Sequence, residues 1–227
     1  MSGSLEPLQA ALGYRFVHLE RLQQALSHRS TGTCNYERLE YLGDGLLNFV
    51  IAEALYQARP QAEEGELSRL RAALVREESL ARIATGLALG DFLHLGGGEM
   101  KSGGFRRDSI LADALEAILG AAYLDGGFEA ARGLTLRLFA PVLADLPAAD
   151  ALKDAKTRLQ EWLQGRGRPL PEYRLLNAEG PSHQQVFTVA CQLPDGHETA
   201  QAQGSSRKLA EQKAAEVLLG RIGAPHA

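Results

Sequence analysis

Three acidic side chains stand at regular spacing in the segment ERLEYLGDGLL. Glu37, Glu40 and Asp44 occupy positions i, i+3 and i+7. Successive residues of an α-helix are about 100° apart, so all three side chains would project from one face. Two carboxylates roughly 4 Å apart repel each other by about 4 kcal/mol at an effective dielectric near 20. The segment therefore predicts a site that needs cations.

A second pair of acids lies in the segment SILADALEAILG. Asp113 and Glu116 are three residues apart and have almost exclusively apolar neighbours, while Glu40 and Asp44 lie between leucines. Acids on helices are commonly solvated, but buried acids are seldom left unpaired, so metal coordination explains these better. We predict that two facing helices bring these four carboxylates into one site.

The ligand types indicate which ion would bind there. A site made only of carboxylate oxygens suits Mg²⁺, with Mn²⁺ as a substitute. No histidine or cysteine stands at zinc-ligand spacing, and the Glu-x-x-His pairs of a di-iron site are absent from the sequence. Cys34 and Cys191 are too few for a disulfide framework. No nucleotide cofactor is expected.

The spacing of apolar residues changes near residue 150 and predicts two domains. Residues 1–146 have mostly helical spacing, whereas DLPAADALKD lacks an apolar stripe and predicts a linker at 147–153. Residues 154–224 show the order helix, three strands, helix. The predicted fold class is mainly α with a small α+β module, and the three strands should form an antiparallel sheet.

Several local signals support the predicted C-terminal module. Thr157–Gln164 has helical spacing, and apolar residues alternate in QQVFTVACQL as in a half-buried strand. Ser206 can cap a last helix, whose Leu209, Val217 and Leu218 we expect to turn inward.

Charge is distributed unevenly along the 227 residues. The net charge is -4, but residues 1–150 hold 14 Lys+Arg against 20 Asp+Glu, and residues 151–227 hold 10 against 8. The mildly basic C-terminal part is therefore compatible with a polyanionic ligand. No apolar run approaches the roughly 18 residues needed to cross a bilayer, so we expect no membrane association and a cytoplasmic location.

The stretch ERLEYLGDGLL closely resembles the signature of bacterial ribonuclease III. The similarity continues through EEGELSRLRAALV, GGGEMKSGGFRRDSILADALEAILGAAYLDGG, KTRLQEWLQGRGRPLPEY and GSSRKLAEQKAAE, and so covers nearly the whole chain. The resemblance implies a metal-dependent endoribonuclease that hydrolyses both strands of double-stranded RNA and leaves 5′-phosphate and 3′-hydroxyl ends. In the family such enzymes process ribosomal and transfer RNA precursors and structured messenger RNAs.

The resemblance also assigns roles to residues. Four acids would bind the catalytic metal and activate water: Glu40, Asp44, Asp113 and Glu116. Glu37 and Glu64 match acidic positions with supporting roles. The C-terminal module resembles a double-stranded RNA-binding domain, and its predicted RNA contacts are Thr157, Gln160 and Glu161 on its first helix, Pro181, Ser182 and His183 in a turn, and Ser206, Arg207 and Lys208 at its last helix. Separately, Lys101, Arg106 and Arg107 add positive charge just ahead of the second acidic pair, and we predict that this basic loop guides the RNA backbone toward the metal.

A duplex presents two antiparallel backbones, and a twofold dimer would supply a matching site for each. The resemblance favours a homodimer, and the apolar stretch LLNFVIAEAL belongs either to its interface or to the core.

Two other functions are alternatives to that of a duplex-cleaving enzyme. A protein that binds duplex RNA without cutting it has no reason to gather four acids, and a metal phosphohydrolase of small nucleotides leaves the C-terminal module unexplained.

Overall fold

The chain forms two compact units, Met1–Pro147 and Ala148–Ala227. The computed structural model describes residues 4–146, 153–181, 184–194, 196 and 198–223. Helices make up the first unit, and the second combines a small sheet with two helices, which confirms the predicted fold class. Of the predicted linker, only Lys153 lies among the described residues.

The first unit contains seven helices among its described residues. They are α1 (Glu6–Leu12), α2 (Leu19–Ala25), α3 (Glu37–Ala58), α4 (Glu64–Val75), α5 (Glu77–Gly86), α6 (Gly97–Lys101) and α7 (Asp108–Ala144). Short 3₁₀ turns lie at Arg29–Thr31, Leu89–Phe92 and Gly104–Arg106. No helix in the described part of the chain is long and apolar enough to span a membrane.

Helix α7 is the central element of the first unit, and α2, α3 and α5 all pack against it. Between Ile110 and Ala122 the side chains of α7 are buried on every side, apart from the two acids, which are half-buried. Such a helix belongs in the interior of a protein. Gly127 interrupts α7 with a φ of 79°, a backbone conformation that residues other than glycine rarely adopt.

Two glycines set the distance between α3 and α7. A Cβ atom on Gly43 would lie 1.8 Å from the carbonyl oxygen of Glu116, and one on Gly120 would lie 2.2 Å from that of Leu39. Neither position has room for a side chain, so the two helix backbones touch at this crossing. The acids of α3 and α7 are thereby brought within reach of one another.

The buried carboxylate of Asp125 ties the segment after α1 to α7. It accepts hydrogen bonds of 2.9 Å from the Tyr14 hydroxyl and from the backbone N–H groups of Val17 and His18. Burial tends to raise the pKa of Asp125, but these hydrogen bonds outweigh it and hold the pKa below its ordinary value. The carboxylate therefore stays ionised and fixes the N-terminal segment against α7.

The second unit has the predicted element order. Its elements are α8 (Ala155–Gln164), β1 (Glu172–Glu179), β2 (Val186–Gln192), β3 (Thr199–Gly204) and α9 (Arg207–Arg221). The antiparallel sheet has the order β1-β2-β3, with an irregularity in the β1–β2 pairing between Leu175 and Asn177. Its core is formed by apolar side chains of both helices and the sheet, including Leu159, Leu163, Cys191, Leu193 and Leu218.

The expected inward stripe of α9 is only partly right. Leu218 is buried and Leu209 is half-buried, but Val217 is 41% exposed. The other buried positions are Ala210, Ala214, Ala215 and Leu219. The backbone of α9 approaches β3 so closely that a Cβ on Gly204 would lie 2.6 Å from the amide nitrogen of Ala210. Small alanines therefore form most of the packed face.

Candidate active site

Three of the four predicted acids meet in one cluster. Glu40 lies in the first turn of α3, and Asp113 and Glu116 lie on α7. One carboxylate oxygen from each lies within 4.8 Å of the others, and all three residues are half-buried. The contact between Gly43 and α7 explains why carboxylates from separate helices come this close.

Electrostatics show that the cluster is short of positive charge. Burial raises the pKa of Glu116 to about 8, and the charges of Asp44, Asp113 and Glu40 add to the increase. Burial also raises the pKa of Glu40, again helped by the charge of Asp113. Near neutral pH the cluster therefore holds a proton unless a cation compensates its charge. A carboxylate set with this property can hold a divalent ion.

Asp44 is exposed and lies outside the group of three. Its Oδ1 accepts a hydrogen bond of 2.7 Å from Nδ2 of Asn48, one turn further along α3. In this side-chain conformation Asp44 lies outside the group of carboxylates whose oxygens are within 4.8 Å of one another. Its charge nevertheless contributes to the raised pKa of Glu116. Asp44 thus lies at the edge of the cluster.

The two acids with predicted supporting roles also lie outside the cluster. Glu37 is exposed, and its Oε1 is 3.8 Å from Nη1 of Arg29. Glu64 is exposed at the start of α4, where its Oε1 accepts a 2.8 Å hydrogen bond from the Ser68 hydroxyl. Neither residue belongs to the group of three, although the charge of Glu37 adds to the raised pKa of Glu40.

The predicted basic loop forms α6 and the 3₁₀ turn that follows it. Lys101, Arg106 and Arg107 are all exposed. Nη1 of Arg107 lies 3.1 Å from Oε2 of Glu99, and the guanidinium of Arg106 lies 5.0 Å from the centre of the Phe105 ring. Arg107 therefore braces the loop, while the exposed charges of Lys101 and Arg106 face solvent.

In the second unit, the predicted cap at the start of α9 is present. The Ser206 hydroxyl accepts a 3.2 Å hydrogen bond from the Leu209 amide. Arg207 and Lys208 follow in the first helical turn, where both are exposed. Positive side chains at a helix N-terminus oppose the helix dipole, which favours negative charge there. This combination of exposed cations and helix N-terminus is suited to a phosphate.

The predicted contact residues of α8 are at least partly accessible. Thr157 and Gln160 are half-buried, and Glu161 is exposed, with Oε2 2.5 Å from Nζ of Lys153. Pro181 is exposed, whereas Ser182 and His183 lie outside the described residues. Trp162 packs against the core of the second unit, as expected for a structural aromatic residue.

Comparisons with known proteins agree with this geometry. Residues 19–143 match the model of the family described as Ribonuclease-III-like, and residues 155–220 match the double-stranded RNA binding motif. The chain is 57% identical to Ribonuclease 3 of Alkalilimnicola ehrlichii over 97% of both proteins. The chain belongs to the bacterial ribonuclease III family. As a ribonuclease III enzyme with this RNA-binding motif, it is an endoribonuclease of double-stranded RNA.

Other members of the ribonuclease III family are also similar to this chain. Ribonuclease 3 of Haemophilus influenzae is 51% identical over 96% of this chain and 97% of that protein. The solved nuclease domain of ribonuclease III from Campylobacter jejuni matches with a TM-score of 0.60 and 46% identity, over 61% of this chain and 97% of that one. That nuclease domain has structural flexibility in a region involved in dimer formation.

Sequence reasoning missed the residues that surround the ribonuclease III cluster. Tyr36 is 2% exposed, and its hydroxyl donates a 3.3 Å hydrogen bond to Oδ2 of Asp113. Burial raises the pKa of Asp113, and the hydrogen bond from Tyr36 opposes this rise. The charge of Glu77, at the start of α5, raises the pKa further. Tyr36 directly precedes the signature segment, but nothing in a single sequence pairs it with a residue 77 positions away.

Proposed function

We propose that this enzyme hydrolyses phosphodiesters in both strands of duplex RNA by attack of activated water, leaving 5′-phosphate and 3′-hydroxyl ends. The observation that carries the proposal is the meeting of Glu40, Asp113 and Glu116 from two helices within 4.8 Å. By family resemblance, its substrates are precursors of ribosomal and transfer RNA and structured messenger RNAs.

The donor set fits Mg²⁺, and Mn²⁺ as a substitute. Every ligand atom is a carboxylate oxygen, which such hard ions prefer, and burial together with the neighbouring carboxylates raises the pKa of Glu116, an effect that a bound cation would oppose. Glu40, Asp113 and Glu116 would hold the ion, with Asp44 reaching it on release from Asn48. A bound Mg²⁺ lowers the pKa of coordinated water and stabilises charge on the attacking and leaving oxygens.

The residues around the cluster prepare it for this task. Tyr36 fixes one oxygen of Asp113, so this carboxylate has a defined orientation before an ion arrives. The close crossing of α3 and α7 at Gly43 fixes the separation of Glu40 from Glu116. Glu37 and Glu64 would shape the charge around the site rather than bind the ion.

The second unit would bind the duplex by its shape. A-form RNA displays 2′-hydroxyls in a wide, shallow minor groove, and its phosphates are accessible from outside. We assign the phosphate contacts to Ser206, Arg207 and Lys208, and the 2′-hydroxyl contacts to α8 and the turn after β1. Lys101, Arg106 and Arg107 would guide the backbone in the first unit. Sequence preference should therefore be slight.

Exposed aromatic residues of the first unit support a homodimer. Tyr41 is 84% exposed and Phe49 59% exposed, and the Phe49 ring meets that of Phe128 edge to face with centroids 5.9 Å apart. Together with Tyr123 they border a concavity of about 520 Å³. A large exposed apolar patch commonly marks an interaction site, and a twofold copy would present a second catalytic cluster to the other RNA strand.

Sedimentation at micromolar concentration tests the dimer. The wild type should sediment as a dimer and Phe49→Glu as a monomer, while Met100→Glu, at a 46% exposed apolar position on α6 that does not border this concavity, should remain dimeric. A wild-type enzyme that is monomeric and still cleaves both strands would refute this part of the proposal.

Incubation with long duplex RNA tests the catalytic assignment. The wild type should cleave with Mg²⁺ and stop in EDTA, while Glu116→Gln should keep RNA binding and lose most cleavage. Glu20→Gln is the matched control, because Glu20 is exposed on α2 and pairs only with His18 among the described residues. Normal turnover by Glu116→Gln would refute the assignment, and binding without any cleavage by the wild type would favour a non-cutting RNA-binding protein.

A further inference from the structure

A half-buried acidic residue connects the two helices of the second unit beside the exposed cations of α9. Oε1 of Glu211 accepts a 2.9 Å hydrogen bond from Nε of Arg207, and Oε2 accepts a 2.6 Å hydrogen bond from Nζ of Lys156. The Glu211 side chain is only 13% exposed, whereas that of Arg207 is 60% exposed. Lys156 also lies 4.4 Å above the centre of the Tyr173 ring. Each oxygen of Glu211 thus holds one cation.

A glutamate is unexpected at this position if only charge matters. Burial tends to raise the pKa of Glu211, but the hydrogen bonds from Lys156 and Arg207 outweigh it and lower the pKa, so the side chain is ionised at neutral pH. Its negative charge lies in the first turns of α9, where we place RNA phosphates. By Coulomb's law alone, removing this charge should strengthen the binding of a polyanion.

The geometry favours the opposite effect. A guanidinium has five N–H donors, and Arg207 uses Nε for Glu211, which leaves the outer edge of the group for a phosphate. An ammonium has three donors, so Lys156 can also serve a second partner while Glu211 and the Tyr173 ring hold it. Both long side chains are ordered before RNA binds, which reduces the entropy lost on binding.

We propose that Glu211 is a positioning residue that holds Arg207 and Lys156 ready for the phosphates of duplex RNA. Lys156 thereby becomes a further RNA contact, from α8, beside those of α9. The inference rests on the proposed RNA-binding role of the second unit and goes beyond it by assigning a function to an acidic residue and to a lysine outside the α9 turn.

Binding of the full chain to a fluorescein-labelled RNA duplex in EDTA tests the inference, because the positioning role and simple charge repulsion predict opposite changes in affinity when Glu211 is neutralised. Glu211→Gln should bind about tenfold more weakly, because its amide has only one acceptor oxygen and must turn its NH₂ group toward the other cation. Glu216→Gln is the matched control, since Glu216 is exposed on the same helix and the change in charge is identical. This control should bind as tightly as wild type or slightly tighter.

A second set of variants separates positioning from loss of structure. Lys156→Met should weaken binding and reduce the slope of log affinity against log salt by about one, as for one lost phosphate contact. Arg207→Ala should weaken binding less in the Glu211→Gln background than in wild type, because its ordering is already lost. If Glu211→Gln unfolds, the Lys156→Met salt slope still decides the question.

The outcomes distinguish this inference from the function on which it rests. If the wild type fails to bind duplex RNA, the proposed RNA-binding role fails. If the wild type binds but Glu211→Gln binds equally or more tightly, or Lys156→Met leaves affinity and salt slope unchanged, the positioning role of Glu211 is overturned and the RNA-binding role stands.

Discussion

Replacing Gly43 by alanine tests whether the close helix crossing builds the catalytic cluster. The new Cβ would lie 1.8 Å from the carbonyl oxygen of Glu116 and 2.6 Å from its carbonyl carbon. Both are backbone atoms and cannot rotate away, so α3 and α7 must separate by roughly 1 Å or more. Overpacking of this kind costs about 3 kcal/mol, and the better helix propensity of alanine recovers about 1 kcal/mol.

The net loss of about 2 kcal/mol should lower the Tm by roughly 4–8 °C for a chain of this size. The effect on cleavage should be larger than the effect on stability. A displacement of about 1 Å between catalytic groups can cost about a hundredfold in rate, and here Glu40 moves away from Asp113 and Glu116. Single-turnover cleavage of duplex RNA, measured well below the Tm, separates this loss from unfolding.

Gly133→Ala provides the matched control. Gly133 lies on α7 and is exposed, and a Cβ atom added there would meet no other atom within 4 Å. This variant should be up to about 1 kcal/mol more stable than wild type and cleave RNA at the same rate. If Gly43→Ala keeps both the wild-type Tm and the wild-type cleavage rate, the close crossing does not set the geometry of the site.

Three further predictions concern pH, the N-terminal clamp and salt. In EDTA, burial keeps a proton on Glu116 in the folded state at pH values where the unfolded chain has lost it. The free energy of unfolding should therefore fall by roughly 2 kcal/mol, after allowance for solvent screening, as pH rises from about 4.5 to about 8. Thermal unfolding should show this slope in wild type and not in Glu116→Gln. Asp125→Ala should cost about 2 kcal/mol in denaturant unfolding, because three donors lose their acceptor, and an unchanged midpoint would contradict that role. Replacing both Arg207 and Lys208 by alanine should reduce the salt slope of duplex binding by about two, and an unchanged affinity would show that the phosphate site is misassigned.

The helical domain and the order of the strands in the unit that follows it could be predicted because each follows from local periodicity. Spacing places Glu37, Glu40 and Asp44 on one face of a helix, but residues i and i+7 are about 10 Å apart along the axis. Of the three, only Glu40 joins Asp113 and Glu116 in the cluster, and this depends on where the helices cross. That crossing is set by Gly43 and Gly120, whose role is visible only in three dimensions.

Other features could not be predicted from the sequence for related reasons. The partnership of Tyr36 with Asp113 joins distant segments, and the bridge from Glu211 to Lys156 depends on the packing of α8 against α9. The apolar side chain of Val217 predicts an inward position, yet alanines occupy the packed face where α9 approaches β3 most closely. Periodicity identifies an apolar face but does not measure the space that the neighbouring element leaves.

Anomalous X-ray scattering from crystals grown with Mn²⁺ tests the central claim most directly. A peak should appear in contact with carboxylate oxygens of Glu40, Asp113 and Glu116, and Glu116→Gln crystals should show it weakened or absent. A Mn²⁺ peak elsewhere, or no peak at these carboxylates in an enzyme that cleaves duplex RNA with Mn²⁺, would contradict the account.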